Sequence, residues 1–455
     1  MNLASQLRKA INSIPLIDNH AHNILKKYDP PAGHPREMIT SEATGLALND
    51  SVYTLAHMRM LKYLARFLGL PIESSWEQIM ETSKSIDYTL FCQSLIKSAG
   101  IQAILIDDGF HSDDCYEIAW HDRLTPFPNK RIVRIETLFE SIVERYAEPT
   151  TEFVEAIKRY IDDPHVVGFK SIAAYRDGLD VDVGNTTYDR DLVIQDVDTK
   201  KRGGRYKVIN RETIRWLINI TLSIASGKGK PIQFHTGLGD NDITLTRSDP
   251  SLLQPLIKAY PNVPFVILHS GYPYARQAGY LATVYPNAYL DFGLALPLLS
   301  GDGQRSLMRQ LLELCPTNKL LWSSDAALHP ERFYLAAEQA KDAMAEVLAE
   351  NITREEIFFD DAIKIAKRVF FENSNQLYSL GIDYKELDLN SVPVGTTLTA
   401  SSLQPPKGLD SQQMSTSLNN ITQPAMAESS KPLSSLVDSL RSQNIKFVRL
   451  AWVDY

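Results

Sequence analysis

The chain has few of the residues that build disulfide frameworks or thiolate metal sites. Its three cysteines, Cys92, Cys115 and Cys315, are far apart, and no two of them form a CxxC pair. An odd number of isolated cysteines argues against a disulfide scaffold and against a cysteine-bound zinc ion. It fits a protein that is kept in a reducing compartment.

Long apolar runs are also missing. No segment approaches the roughly 18 consecutive apolar residues that a membrane-spanning helix needs. The N-terminal sequence MNLASQLRKAINSIPLIDNHAH lacks an apolar stretch as long as that of a signal peptide, and its apolar residues recur at helical spacing. We therefore expect a cytoplasmic protein with no membrane partner.

Positive charge is not in excess. The chain carries 47 Lys and Arg against 55 Asp and Glu, a formal net charge of -8, and its pI is near 5.7. An acidic chain argues against a nucleic-acid partner and favours a small-molecule substrate. Hydrophobic residues make up 44% of the chain, which is enough to bury a large core. Whether the chain forms a homo-oligomer stays open.

Eight short apolar segments predict buried parallel strands. They cover residues 15–18, 101–106, 131–135, 166–170, 231–235, 264–269, 288–291 and 319–323. Most of them are followed by a segment with helical periodicity, and strand and helix alternating eight times is typical of a closed barrel. The predicted fold is an α/β protein with a (β/α)8 TIM-type barrel.

Two connections between these strands are too long for simple loops. Residues 23–100 contain helical patterns at 51–67 and 76–85, and we expect this helical insertion after strand 1 to lie over the barrel mouth as a lid or wall. Residues 176–206 are polar, and we expect a loop or flap there that frames the substrate.

The C-terminal part of the chain has a different composition. The barrel is predicted for residues 1–385, and residues 386–430, rich in Ser, Thr, Pro, Gln and Asn, are predicted to be a flexible linker. Residues 431–455 have the pattern of one helix and one strand, which cannot bury a core alone. We expect them to be the start of a second domain that is cut short.

Two histidines stand at the end of the first predicted strand, in the sequence Asp18-Asn19-His20-Ala21-His22. Side chains two positions apart on a strand point the same way, so His20 and His22 can hold one cation together. Because an HxH pair also occurs by chance, this motif alone decides little.

Other ionisable residues fall at the ends of later strands, where barrel active sites are built. Lys170, His235 and His269 end strands 4, 5 and 6, and Asp325 follows strand 8. Each alone fits a structural role in a hydrogen bond or ion pair. Together at one mouth they would be costly to desolvate unless a metal ion or substrate engaged them, so we predict a metal site.

Four further residues are candidates for substrate binding. Trp120 and Glu136 lie near the third strand, Arg176 follows the fourth, and Arg276 follows the sixth. A guanidinium matches a substrate carboxylate well, which makes Arg176 and Arg276 the candidates for that contact. For Glu136, an ion pair with a neighbouring arginine is an equally good explanation.

These residue types suit hydrolysis. A cation held by neutral imidazoles and a carboxylate lowers the pKa of bound water towards about 7, so that water becomes the nucleophile. In this hypothesis Asp325 takes the proton of the water and passes it to the leaving amine, and His269 polarises or protonates the substrate.

Several motifs resemble one family. IDNHAHNIL, LIDDG, RIETLFE, GFKSIAAYRDGL, FHTGLGD, LHSGYPYAR and WSSDA, spread over residues 1–380, are similar to the amidohydrolase superfamily and within it to FluG-type proteins. The resemblance implies metal ligands at His20, His22, His235 and Asp325. Lys170 and His269 would join them in a two-metal site bridged by a carbamylated lysine. In a one-metal site, Lys170 would equally well bind substrate and His269 would be the acid-base residue.

The resemblance also implies a fusion partner, because KFVRLAWVDY at the C-terminus resembles the first strand of a glutamine-synthetase-like domain. By analogy the substrate would be a small amide, such as a γ-glutamyl amide, and the cofactor one or two divalent metal ions, zinc before manganese or iron. Two alternatives stay open: a metal-dependent decarboxylase, and a non-catalytic module for developmental signalling or scaffolding.

Overall fold

Eight parallel strands form the centre of the structure, a computed structural model that describes residues 2–388 except 30–32, 111–112, 185 and 201–205. The strands follow one another around the sheet in chain order. Their bounds are β1 Leu16–Ala21, β2 Ile101–Asp107, β3 Lys130–Arg134, β4 Val166–Ser171, β5 Ile232–Phe234, β6 Phe265–Ile267, β7 Ala288–Asp291 and β8 Leu320–Leu321.

The last strand returns to the first. The backbone N–H of Asn19 donates to the carbonyl of Trp322 at 3.4 Å, that of Asp325 to His20 at 3.0 Å, and that of His22 to Ala326 at 2.8 Å. These bonds join β1 to the segment that follows β8. The predicted (β/α)8 barrel is confirmed, and each of the eight predicted strands overlaps an observed one.

Helices surround the strands. They are α1 Leu3–Asn12, α2 Leu55–Leu68, α3 Trp76–Ser85, α4 Tyr88–Ala99, α5 Ile118–His121, α6 Ile135–Arg145, α7 Pro149–Asp162, α8 Thr186–Lys200, α9 Arg211–Ala225, α10 Gln254–Ala259, α11 Ala275–Val284, α12 Ala295–Leu298, α13 Gly301–Leu314, α14 Glu331–Thr353, α15 Phe359–Lys367 and α16 Asn373–Leu377. None of the described helices combines the length and apolar character that a membrane crossing requires.

Both faces of the strands are buried, which explains their continuous apolar sequences. In β2, Leu105 packs into the barrel interior with Ile132 and Val266. Its neighbours Ile104 and Ile106 belong to the layer between strands and helices. Side chains alternate between the two faces because successive residues of a strand point in opposite directions.

The C-terminal end of the described chain closes the lower end of the barrel. Asn373, the first residue of α16, donates to the carbonyls of Thr317 and Leu320, which lie before and at the start of β8. Leu377 and Tyr378 then pack into the interior cluster. The opposite end of the barrel, formed by the C-terminal ends of the strands, is therefore the end that can hold a functional site.

The segment between β1 and β2 contains α2, α3 and α4 and two 3-10 helices, Arg36–Thr40 and Gly45–Tyr53. It contacts loops at the barrel mouth on two sides. Glu42 accepts from Arg332 at 2.8 Å on the β8 side, and the hydroxyl of Thr44 donates to Asn241 at 3.2 Å on the β5 side.

Two expectations for other segments have different outcomes. The connection 176–206, predicted as a polar loop or flap, contains α8, which packs against α9. The predicted start of a second domain at 431–455, and all but the first three residues of the predicted linker 386–430, lie outside the described residues. Both stay predictions.

Candidate metal centre

The first strand delivers two imidazoles to the barrel mouth. His20 Nδ1 lies 2.8 Å from Gln233 Oε1, and His22 Nδ1 lies 2.9 Å from the carbonyl oxygen of Asp107. Both oxygens can only accept, so in each neutral imidazole the hydrogen is on Nδ1 and the lone pair is on Nε2. The two rings meet edge to face, with centroids 5.0 Å apart.

Both lone pairs face the same carboxylate. Asp325 Oδ1 lies 3.1 Å from His20 Nε2 and 3.3 Å from His22 Nε2, yet within the described part of the chain no group donates a hydrogen bond to it. Burial and the nearby Lys170 lower the pKa of His20 to about 4, so this imidazole is neutral at pH 7. Three acceptor atoms therefore converge where a positive charge is needed.

Lys170 at the end of β4 stands beside this group. Its Nζ lies 3.1 Å from His20 Nε2, and its side chain is buried. Burial lowers the pKa of Lys170 to about 8, with Asp107 and Asp325 working in the opposite direction. A lysine amine that loses its proton this readily is a better nucleophile than an exposed one.

His235 and His269 complete the ring of ionisable groups, and their ring centroids are 4.5 Å apart. His235 Nε2 lies 3.0 Å from the carbonyl of Leu238, which places its hydrogen on Nε2 and its lone pair on Nδ1. Neither nitrogen of His269 has a hydrogen-bond partner among the described residues. Burial lowers the pKa of both imidazoles well below its usual value.

The backbone at two of these positions is unusual. His269 has φ 65° and Asp325 has φ 48°, in the left-handed region that side chains other than glycine rarely adopt. Such positions cost about 1–3 kcal/mol each and cluster at functional sites. The turn after β5 depends on a true glycine, because Gly237 has φ 73° and a Cβ there would lie 2.3 Å from the carbonyl oxygen of Tyr272.

These residues fit a divalent cation. His20, His269 and Asp325 offer ligand atoms that lie within 4.8 Å of one another, as do His20, His22 and Asp107. Asp325 Oδ1 and the acceptor nitrogen of His269 have no hydrogen-bond partner among the residues that the structure describes, and a metal ion would satisfy both.

Two supporting residues, Gln233 and Asp107, were missed by the sequence analysis. Besides orienting His20, Gln233 donates from Nε2 to the carbonyl of Asn19 and to the hydroxyl of Tyr378, both at 2.8 Å. A signal was present, because Gln233 is the one polar residue within β5 and lies two positions before His235 on the same face.

Asp107 ends β2 in the LIDDG motif. Arg134 Nη2 donates to its Oδ2 at 2.9 Å. Burial is the largest single influence and raises the pKa of Asp107, but Arg134 together with His22, Lys170 and His20 outweighs it and holds the pKa of this carboxyl below its usual range. Gly109 makes room for the pair, since a Cβ there would lie 2.6 Å from the Arg134 side chain. The position rule that selected Lys170 and Asp325 applies equally to Asp107.

Glu136 and Arg176 lie next to the β4 end of the site. Glu136 Oε1 accepts from the Ser171 hydroxyl at 2.6 Å and from the Ile172 N–H at 3.1 Å. Arg176 Nη2 donates to Glu140 at 3.3 Å. Burial raises the pKa of Glu136 and lowers the pKa of Arg176.

The structure does not bring Arg276 or Trp120 into this group. Arg276 lies on α11 with its side chain 67% exposed and pairs with Glu313. Trp120 stacks on Tyr116 with centroids 3.6 Å apart, and Arg123 covers its ring at 5.1 Å. Both side chains therefore have structural partners away from the ring of histidines.

Comparison with known proteins agrees with the barrel fold. The model of the amidohydrolase family, Amidohydro_2, matches residues 147–380. The chain belongs to the amidohydrolase family, a class of metal-dependent barrel enzymes. It is also 39% identical over 418 residues to protein fluG of Emericella nidulans, covering 84% of this chain and 47% of that protein. The chain thus spans about half the length of this curated relative and is of the FluG type.

Solved structures share the fold. A provisionally assigned metal-dependent hydrolase from Lactobacillus casei has a TM-score of 0.73 and 27% identity, with 82% of this chain and 97% of that chain covered. A glucuronate isomerase from Caulobacter crescentus has a TM-score of 0.60 and 13% identity, with 84% and 94% covered. The second likeness concerns the fold alone.

Proposed function

We propose that this chain is a metal-dependent hydrolase that cleaves a small amide. The observation that carries the proposal is the convergence of His20 Nε2, His22 Nε2 and Asp325 Oδ1, while the Nδ1 atom of each histidine is held by an acceptor oxygen. A metal ion would stabilise such a group because it would bind all three atoms at once.

His20, His22 and Asp325 hold the metal ion in this proposal, with His235 beside them. In a two-metal site Lys170 and His269 supply ligands of the second ion, whereas in a single-metal site they contact the substrate. Imidazole and carboxylate ligands suit zinc, with manganese and iron as the next choices. When bound, the ion supplies Lewis acidity, which polarises the amide carbonyl and acidifies water.

Hydrolysis forms a bond from the water oxygen to the carbonyl carbon and breaks the bond from that carbon to nitrogen. One proton of the water must reach the leaving nitrogen. Asp325 takes it at its carboxylate and passes it on, because this side chain is buried at the centre of the site beside His20 and His22. His269, whose nitrogens are also unoccupied, orients the carbonyl oxygen.

A γ-glutamyl amide is the substrate that we place first. The likeness of residues 446–455 to the first strand of a glutamine-synthetase-like domain supports this choice by analogy. Substrate contacts are proposed for Glu136 and Arg176, which lie beside the β4 end of the site. Arg276 and Trp120 are less favoured as substrate contacts because their side chains already have partners, Glu313 and Tyr116 respectively.

The first experiment is metal content per chain, measured by elemental analysis after purification without chelators, for wild type, His20→Ala and Lys170→Ala. Two metal ions per chain in the wild-type protein and one or fewer in Lys170→Ala would support a pair of ions bridged by Lys170. One ion that is lost in His20→Ala and kept in Lys170→Ala supports a single-metal hydrolase. Absence of metal from the wild-type protein, or metal without turnover of any amide in a broad panel, refutes the proposal.

A further inference from the structure

Three buried polar atoms beside the metal centre have no partner among the described residues. They are Oε2 of Glu136 and the Nε and Nη1 atoms of Arg176. The burial is nearly complete, since Glu136 is 0% exposed and the Arg176 side chain is 2% exposed. Both groups therefore have unsatisfied hydrogen-bonding atoms that solvent cannot reach.

Burying a charged group with unsatisfied hydrogen-bonding atoms is unfavourable in free energy. A carboxylate or a guanidinium that leaves water must recover its hydrogen bonds inside the protein. Each of these two groups recovers only part of them, Glu136 through Oε1 and Arg176 through Nη2. Orphaned groups of this kind in a native site indicate that something else completes them.

Neighbouring contacts hold both groups at the metal centre. Glu136 accepts from Ser171 and Ile172, the two residues that directly follow Lys170. Arg176 follows Tyr175, whose ring lies 4.4 Å from that of His235. The open atoms of the two residues thus lie between the third and fifth strands, on the side of the mouth that Lys170 and His235 share.

The two groups can bind ligand groups of opposite charge. Glu136 Oε2 can accept from an ammonium group, and Arg176 Nε and Nη1 can donate to a carboxylate. Each group lies within electrostatic range of the other. One ligand that satisfies both must carry an ammonium and a carboxylate close together, which is the head group of an α-amino acid.

We propose that Glu136 and Arg176 bind the α-amino acid head group of the substrate, with Glu136 on the ammonium and Arg176 on the carboxylate. This inference rests on the proposed amide hydrolase, because the amide bond of the same molecule would then lie at the metal centre. It turns a substrate choice made by analogy into a requirement for two charged groups.

The test on the wild-type protein uses three related ligands and isothermal titration calorimetry. L-Glutamine has both charged groups, glutaramic acid lacks the ammonium, and 4-aminobutanamide lacks the carboxylate. A charge-assisted hydrogen bond lost in a buried site lowers affinity by about 10- to 100-fold. We expect both truncated ligands to bind at least about 10-fold more weakly than L-glutamine.

Variants assign each group to its residue. Glu136→Gln should weaken binding of L-glutamine and leave glutaramic acid unchanged, because that ligand has no ammonium to lose. Arg176→Met should weaken L-glutamine and leave 4-aminobutanamide unchanged. Arg309→Met and Glu350→Gln are matched controls, since this exposed pair joins two outer helices, and neither should alter any of the three affinities.

The outcomes separate the two proposals. Equal affinity of the wild-type protein for all three ligands, no binding of L-glutamine, or a uniform loss in the variants overturns the head-group inference. The expected pattern of affinities without hydrolysis of any amide supports the head-group site and refutes the hydrolase. Because the ranking of ligands is measured on the wild-type protein, the test survives a variant that fails to fold.

Discussion

Replacing Gln233 by leucine should weaken metal binding although Gln233 is not itself a proposed ligand. Its Oε1 fixes the hydrogen of His20 on Nδ1 over 2.8 Å, and this fixes the lone pair on Nε2. Leucine has a similar volume and no acceptor. His20 is fully buried, so no water replaces the lost partner.

The magnitude follows from that contact. Removing the partner of a metal-bound histidine typically lowers metal affinity by 10- to 100-fold, or about 1.4–2.7 kcal/mol. The same substitution also removes the donor to Asn19 and Tyr378, which should lower the free energy of unfolding by about 1–3 kcal/mol. Metal affinity would be measured by competition with a chromophoric chelator, and stability by urea unfolding of the metal-free protein.

Tyr378→Phe separates the two effects. It removes the hydroxyl that accepts from Gln233 Nε2 and leaves the bond between Gln233 and His20 untouched. We expect a loss of stability without a loss of metal affinity. Wild-type metal affinity in Gln233→Leu, or an equal loss in Tyr378→Phe, would refute the reasoning.

Three further predictions concern metal, packing and pH. A chelator should lower the melting temperature of the wild-type protein but not of His20→Ala, because only an intact site gains stability from metal binding; equal shifts in both would contradict this. Gly109→Ala should lower the free energy of unfolding, measured by urea titration, by about 1–3 kcal/mol. The added Cβ would displace the Arg134 side chain from Asp107. Unchanged stability would contradict this prediction, because it would show that Arg134 can move at no cost. Burial lowers the pKa of Lys341 from 10.5 to about 8, so between pH 8 and 10.5 the unfolded chain binds more protons than the folded one. The free energy of unfolding should therefore rise by up to about 3 kcal/mol between pH 8 and 10.5 because of this group. In Lys341→Met, the rise over the same pH range should be smaller than in the wild-type protein.

The barrel could be predicted from the sequence because its strands are buried on both faces. Segments such as AILI and VVGF are apolar without interruption, and the polar residues that follow them, Asp107 and Lys170, mark the mouth. Helix α8 was missed because its sequence, TTYDRDLVIQDVDTK, has few apolar residues to set a helical period. The predicted ligand-type residues could be found from position alone, since each lies at or shortly after the C-terminal end of a strand.

The roles of Glu136 and Arg176 needed the structure. Sequence neighbours suggested an ion pair between arginine and Glu136, whereas Arg134 pairs with Asp107 from another strand. Glu136 in turn accepts hydrogen bonds from the last residue of β4 and from the residue that follows it. Which atoms are left unpaired depends on contacts between residues far apart in sequence, and no local pattern records them.

The closing of the lower barrel by the C-terminal helix decides how this protein can be dissected. A fragment cut to the family match, residues 147–380, would lack β1 to β3 and with them His20 and His22. A fragment that stopped before Tyr378 would remove the hydroxyl bonded to Gln233. Leu387 still donates from its backbone to Ser13 at 2.8 Å. The smallest piece worth expressing therefore runs from α1 to about residue 388.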